Sequence, residues 1–254
     1  KVSGYDVATE ANMVRKNIGV ALQDAAIDPL MTGNELLKLQ AVLHGIPRQE
    51  GRARCAELLE RVGLTAAGDK RVGTYSGGMR RRLDLALSLV HRPKVLFLDE
   101  PTTGLDPTSR VALWEEVRTL NKEIGTTVFL TTQYLEEADQ LAQRIAIIDN
   151  GRIVREGSPA TLKAGVGAPT LRVDITDADF VAAKEIMNKL GEERPARKGR
   201  IAIGLDGGTR AITAVLKALE DQDIEVQHVE LDEPSLDDVF ADATGRRLEG
   251  GENT

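Results

Sequence analysis

The sequence predicts an α/β architecture: a parallel-sheet domain that carries a helical subdomain, followed by a small α+β C-terminal domain. Three observations lead there. Val95-Leu96-Phe97-Leu98 is an unbroken apolar run ending in Asp99 and Glu100, as expected of a strand buried on both faces of a parallel sheet. Strand-length apolar segments alternate with helix-periodic ones up to about residue 160, the pattern of strand–helix–strand crossovers. After a glycine- and proline-rich stretch from Gly157 to Pro169, alternating and helix-periodic segments follow one another, which describes a βα-repeating module of ferredoxin-like type. The expected domains are 1–160 and 168–245, with the helical subdomain at about 30–90.

Taken in order, Lys1 to Glu10 reads as the end of a strand and a loop, and Asn17 to Gln23 as a short buried strand ending in Gln23. Asp28-Pro29 breaks it. Thr32 and Glu35 form a capping box ahead of Leu36, Leu37, Leu39, Val42 and Leu43. The next helix puts Cys55, Leu58, Leu59 and Val62 on one stripe, and Gly63 ends it. Ser76 caps a third helix whose apolar stripe is Met79, Leu83, Ala86, Leu87 and Val90. Pro93 stops that helix before the Val95 strand. Asp106-Pro107 opens a helix with Leu113, Val117, Leu120 and Ile124, and Thr127 to Leu130 is a second buried strand. A short helix from about Leu135 to Ala142 leads to a hairpin from Ile145 to Val154, turned at Asn150-Gly151 in the type I′ manner.

In the C-terminal module Leu171, Val173 and Ile175 alternate with polar residues, as do Ile201, Ile203 and Leu205. Ala183, Ile186, Met187 and Leu190 share a helical face, and so do Ile212, Val215, Leu216 and Leu219. A last strand begins at Ile224 and Val226, and its phase slip before Val229 and Leu231 predicts a bulge. Ser235 and Asp238 cap a short helix through Phe240, and Arg246 to Thr254 is expected to be a disordered tail.

Composition narrows the function classes. The net charge of −7 argues against nucleic acid as the main partner. No apolar run approaches the ~18 residues of a membrane span. The single Cys55 excludes an internal disulfide and suits the cytosol. It lies on an apolar stripe and is expected in the core, as is Trp114. His44, His91 and His228 show no metal-ligand spacing and are expected to be structural. Arg80, Arg81 and Arg82 are expected to form a solvated face.

Two segments carry chemistry. Asp99 and Glu100 stand where a buried strand ends, the edge at which open α/β sheets bind ligands. One carboxylate can hold a cation that bridges phosphate oxygens while the other orients or deprotonates a water, the needs of phosphoryl transfer. Nineteen residues before Val95 comes Ser76-Gly77-Gly78-Met79. Its glycines let backbone N–H groups approach an anion at a positive helix N-terminus.

These segments at this spacing resemble the signature and Walker B motifs of ATP-binding cassette (ABC) ATPases, whose nucleotide-binding domain is P-loop NTPase-like. The resemblance implies ATP and Mg²⁺ as ligands. It places Mg²⁺ on Asp99, usually through water, and the polarisation of the attacking water on Glu100. It gives Ser76, Gly77 and Gly78 the γ-phosphate of a nucleotide held on the opposite subunit, hence a head-to-tail dimer with two sandwiched ATPs. Gln23 falls at the Q-loop position, contacting Mg²⁺ and linking the nucleotide to the helical insert. Asp106 falls in the D-loop and would communicate across the dimer. Gln133 stands where most such ATPases have a switch histidine. A glutamine can donate to a γ-phosphate but cannot carry a proton, so the base role goes to Glu100 and phosphate sensing to Gln133. The run Thr131–Leu141 and the segment Glu233–Phe240 resemble the ATP-binding subunits of daunorubicin-resistance drug exporters. That implies an ATP-hydrolysing subunit energising a separate membrane permease, cytoplasmic and peripheral on the inner face of the cell membrane.

The 254 residues contain no Gly-Lys dipeptide, so the glycine-rich Walker A loop that cradles β- and γ-phosphates is not among them. With Lys1 as the first residue, the sequence reads as part of a longer chain carrying that loop upstream, and these residues alone are expected to show no appreciable ATPase activity. Two other classes compete. A soluble ABC ATPase acting on ribosomes or DNA would carry two cassettes or long charged inserts, which this acidic sequence lacks. A non-hydrolysing regulatory module fits Gln133 but not the intact Asp99–Glu100 pair.

Overall fold

The structure, a computed structural model, describes residues 1–23, 27–176, 178–197 and 199–245. The expected tail, 246–254, lies outside the described residues. The chain divides into two compact units, Lys1–Leu141 and Ala142–Thr254.

In the first unit α1 (Ala11–Asn17) runs directly into β1 (Ile18–Ala21). The expected strand end before it reduces to a single Val2–Tyr5 bridge. The Asp6 carboxylate accepts from the amides of Ala8 and Thr9, which turns the chain away from extended structure. Helix α1 buries only Val14, too little to leave a periodic signal. Three helices follow, α2 (Gly33–Leu43), α3 (Arg48–Arg61) and α4 (Gly77–Ser88), joined between α3 and α4 by two 3₁₀ turns, Thr65–Ala67 and Val72–Thr74. The α2 capping box is complete: Glu35 N–H donates to Thr32 Oγ1 at 3.2 Å and Thr32 N–H to Glu35 Oε2 at 2.8 Å. Of the apolar residues expected to be buried on α2, Leu36 and Leu37 are, while Leu39, Val42 and Leu43 are exposed. Helix α3 buries Cys55, Leu58 and Leu59 as expected, and Gly63 leaves the helix at φ +65°.

Three parallel strands complete this unit: β1, β2 (Val95–Asp99) and β3 (Thr127–Thr131), with β2 central. Helix α5 (Pro107–Ile124) joins β2 to β3, and α6 (Leu135–Leu141) follows. The register pairs Val95 with Ile18 and Asp99 with Thr131, so all three strands end at one edge. Burial of β2 on both faces was expected. One face buries Leu96 and Leu98, whereas the other holds a half-buried Phe97 against an exposed Phe129, ring centroids 5.6 Å apart. Gly19 is required where it stands, because a Cβ there would meet Ser88 O at 2.3 Å, so β1 lies directly on the end of α4. The core joins Leu37, Leu58, Leu83, Leu89, Leu96 and Leu120. Each such side chain contributes roughly 1.5–3 kcal/mol on full burial.

The second unit opens with the hairpin β4 (Ile145–Asp149) and β5 (Arg152–Gly157). Asn150 and Gly151 both take positive φ, the I′ turn. The sequence-based division placed this hairpin in the first domain. The compact division begins ahead of it, because α7 (Pro159–Ala164) and α10 (Leu236–Thr244) pack on β5. Between those helices come β6 (Thr170–Ile175), α8 (Phe180–Leu190), β7 (Glu192–Glu193), β8 (Arg200–Gly204), α9 (Gly208–Glu220) and β9 (Val226–Asp232). The antiparallel sheet runs β7-β8-β6-β9, a ferredoxin-like βαββαβ order. Leu171, Val173, Ala183, Met187, Ile203, Val215 and Leu219 form its core. The bulge is present: β6 pairs Asp174 with His228 and Ile175 with Val226, passing over Gln227.

Candidate functional site

The parallel register gathers Gln23, Asp99, Glu100 and Thr131 at one sheet edge. Asp99 is the last residue of β2, and its Oδ1 accepts from Thr131 Oγ1 at 2.5 Å. Its second carboxylate oxygen takes no hydrogen bond among the described residues. Glu100 follows at φ +44°, a conformation rare for a residue with a side chain. Its N–H extends the ladder to Thr131 O at 3.0 Å. Gln23 Nε2 donates to Glu100 Oε2 at 3.1 Å and Thr103 Oγ1 donates to the same oxygen at 3.0 Å. Both donors fall on one oxygen, so Oε1 is left to accept from a water or a substrate proton.

The expected metal residues fit a hard cation. Asp99 offers a free carboxylate oxygen and Gln23 a free amide oxygen, the donors magnesium prefers while keeping much of its water. Among the described residues no group of three or more His, Cys, Asp and Glu comes together to cage a metal by itself. The remaining ligands would have to be water and phosphate.

A second group forms around the start of α4. Ser76 Oγ accepts from Met79 N–H at 3.2 Å as N-cap. A Cβ on Gly77 would meet nothing within 4 Å, so that backbone faces open space. A Cβ on Gly78 would meet Ser109 Oγ at 3.1 Å and Leu105 Cδ2 at 3.7 Å. Ser109 in turn binds Asp106 twice, through N–H to Oδ1 at 3.0 Å and Oγ to Oδ2 at 2.6 Å. These bonds, side chain first, hold the Asp106 carboxyl below its ordinary value. Asp106 is therefore the α5 N-cap and the neighbour of Gly78 within the same chain. Gln133, two residues past Thr131, is exposed and makes no side-chain hydrogen bond among the described residues.

Arg81 was missed. The expected solvated face describes only Arg80; Arg82 is half-buried and donates to Val62 O at 2.9 Å. Arg81 is buried and donates to Pro101 O at 2.8 Å, to Asp99 O at 2.7 Å and to Leu22 O. A signal existed: Arg81, Leu85 and Ser88 follow the i, i+4, i+7 spacing of a buried stripe. Its neighbour Asp84 lies 3.5 Å away, and burial raises the Asp84 carboxyl to about 6 against the pull of Arg81. Thr131 and Thr103 were missed as well, since their roles depend on register and turn geometry. Trp114 is packing as expected, with its Nε1 donating at 3.0 Å to the fully buried Glu137. His44 and His91 stack at 3.9 Å, and Cys55 is buried in the core.

Comparison with known proteins adds to this geometry. Residues 1–103 match the family model described as ABC transporter, and residues 157–244 match the ATP-binding protein DrrA1-3-like C-terminal domain. The chain is 45% identical over 255 residues to the daunorubicin resistance ATP-binding protein DrrA2 of Streptomyces coeruleorubidus, covering 99% of this chain and 79% of that one. It is 45% identical over 249 residues to the daunorubicin/doxorubicin resistance ATP-binding protein DrrA of Streptomyces peucetius, covering 96% and 75%. Among solved structures it resembles the dimeric post-hydrolysis state of the ATP-binding cassette MJ0796 bound to ADP and Pi, with a TM-score of 0.54 and 26% identity over 61% of this chain and 68% of that one.

Proposed function

The chain belongs to the daunorubicin-resistance type of ABC ATP-binding proteins, and from that premise we propose that it is the ATP-hydrolysing subunit of a drug exporter that energises a separate membrane permease. The observation that carries the reading is the meeting of Gln23, Asp99 and Glu100 at one strand edge, with Glu100 Oε1 and one Asp99 oxygen free. Magnesium, when bound with ATP, neutralises charge on the phosphates during transfer. Asp99 and Gln23, each with an oxygen free, would hold that cation. Glu100, fixed through Oε2 by Gln23 and Thr103, orients the attacking water through Oε1 and takes its proton.

Ser76 and Gly77, beside open space, present backbone donors to a nucleotide on a second subunit in a head-to-tail dimer. The MJ0796 cassette is a dimer holding ADP and Pi, which supports a dimeric active form. Asp106, tied to the same helix start, relays contact across the dimer, and Gln133 senses the γ-phosphate. Among the described residues no helix is long and apolar enough to cross a membrane. The permease supplies the crossing and this subunit works at the inner face.

The test is export. Cells making the full gene product with its permease should hold less daunorubicin, and Asp99→Asn should return accumulation to that of cells lacking the protein. Undiminished export by Asp99→Asn would overturn the reading.

A further inference from the structure

Arg81 lies on the signature helix α4, yet it is only 9% exposed and its guanidinium reaches two other segments. Nε donates to Pro101 O at 2.8 Å, Nη2 to Asp99 O at 2.7 Å, and Nη1 to Leu22 O. Asp99 and Pro101 are the two residues flanking Glu100, and Leu22 immediately precedes Gln23. The three carbonyls thus frame the two side chains that meet at 3.1 Å. We propose that Arg81 is a positioning residue, whose planar fork holds the backbone on both sides of Glu100 and before Gln23 and so fixes the aim of the Glu100 carboxylate.

The chemistry supports a fork rather than a charge. An ammonium is a point donor on a flexible stem and cannot meet three carbonyls in the fixed directions that a guanidinium offers. Glu100 holds a positive φ, which persists only where its surroundings over-determine it. Two of its anchors are the carbonyls held by Arg81, and a third is its own N–H to Thr131 O. Burial disfavours the charged guanidinium, and the negative charges of Asp84, 3.5 Å away, and of Asp99 and Glu137 offset part of that cost. Arg81 is five residues past Ser76 on the same helix. A shift of the signature segment against a second subunit therefore reaches Glu100 through one side chain, which couples dimer contact to the aim of the carboxylate.

The consequence for hydrolysis rests on Glu100 being the water-orienting residue; the clamp itself can be read without turnover. The full chain would be compared with Arg81→Lys and Arg81→Gln by amide hydrogen exchange and by the side-chain amide resonance of Gln23, with Glu100→Gln as reference. The Glu100 and Thr103 amides should exchange about tenfold faster, as in a local opening, while Leu96 and Leu98 on the same strand keep their protection. The Gln23 resonance should move toward its position in Glu100→Gln. Unchanged protection at Glu100, uniform loosening of the whole strand, or failure of both variants to fold would each overturn the proposal. A local opening with export undiminished would leave the clamp standing and contradict the role given to Glu100.

Discussion

The side-chain amide of Gln23 donates to Glu100 Oε2 across 3.1 Å, joining the ends of two neighbouring parallel strands. The bond uses the nitrogen of Gln23 and leaves its oxygen free, so under the proposed function one side chain would serve the carboxylate and the cation together. Replacing it by alanine removes both. Gln23→Ala should lower ATP turnover by about 10–100-fold, the usual cost of losing such a supporting partner. Raising the Mg²⁺ concentration should recover part of that loss, and steady-state rates against Mg²⁺ would show it.

Asp84 predicts a pH dependence of stability. Burial raises its carboxyl from the ordinary 3.8 to about 6, with Arg81 pulling the other way. The folded chain therefore holds this proton more tightly than the unfolded chain. Its stabilising contribution is fully present below about pH 4 and is lost as the pH rises through about 6. The gap of about two pH units is worth about 3 kcal/mol. Relative to Asp84→Asn, the parental chain should lose about that much unfolding free energy between pH 4 and pH 7. Parallel urea-unfolding curves for the two proteins across that range would contradict it.

The two signature glycines should respond differently to alanine. Gly77 has open space where a Cβ would go, so Gly77→Ala should leave stability unchanged or raise it by up to about 1 kcal/mol. Gly78→Ala would press on Ser109 Oγ and disturb its bond to Asp106, costing about 1 kcal/mol. Urea midpoints test the pair. ATP-driven dimerisation should fall in Gly77→Ala despite its sound fold, because the added methyl enters the space proposed for the opposing nucleotide.

Gln133 has no titrating proton, so residue 133 gives the parental enzyme no kinetic limb near neutral pH. Gln133→His should add one near pH 6.5, the ordinary histidine range. Gln133→Ala should slow turnover less than any change at Glu100. A pH–rate profile for each variant checks both statements.

The parts of the fold written locally could be read from the sequence. Thr32 with Glu35, Ser235 with Asp238, Asp106-Pro107 and Asn150-Gly151 each form the cap or turn their residue types dictate. The strand-end carboxylates could be read too, because an apolar run ending in polar residues marks the ligand edge of a parallel sheet, whereas Gln23 is singled out only through the resemblance to the ABC Q-loop. Arg81 could not be read as a clamp, since its partners are backbone carbonyls 18 to 59 residues away and nothing in a sequence displays a carbonyl. Thr131 acquires its role only from the register that sets it opposite Asp99. Leu39, Val42 and Leu43 satisfied a helical period yet face outward, because periodicity shows which residues share a face and not what covers it.

In the proposed function Glu100 carries the hydrolytic step, with its Oε2 held by two donors while Oε1 stands free. The direct measurement is ATP hydrolysis by the full gene product assembled with its permease, parental against Glu100→Gln, with bound nucleotide quantified in the same samples. Glu100→Gln should bind ATP and dimerise yet hydrolyse about 10²–10⁴-fold more slowly, the loss expected when a general base is removed. Hydrolysis by Glu100→Gln at the parental rate would contradict it.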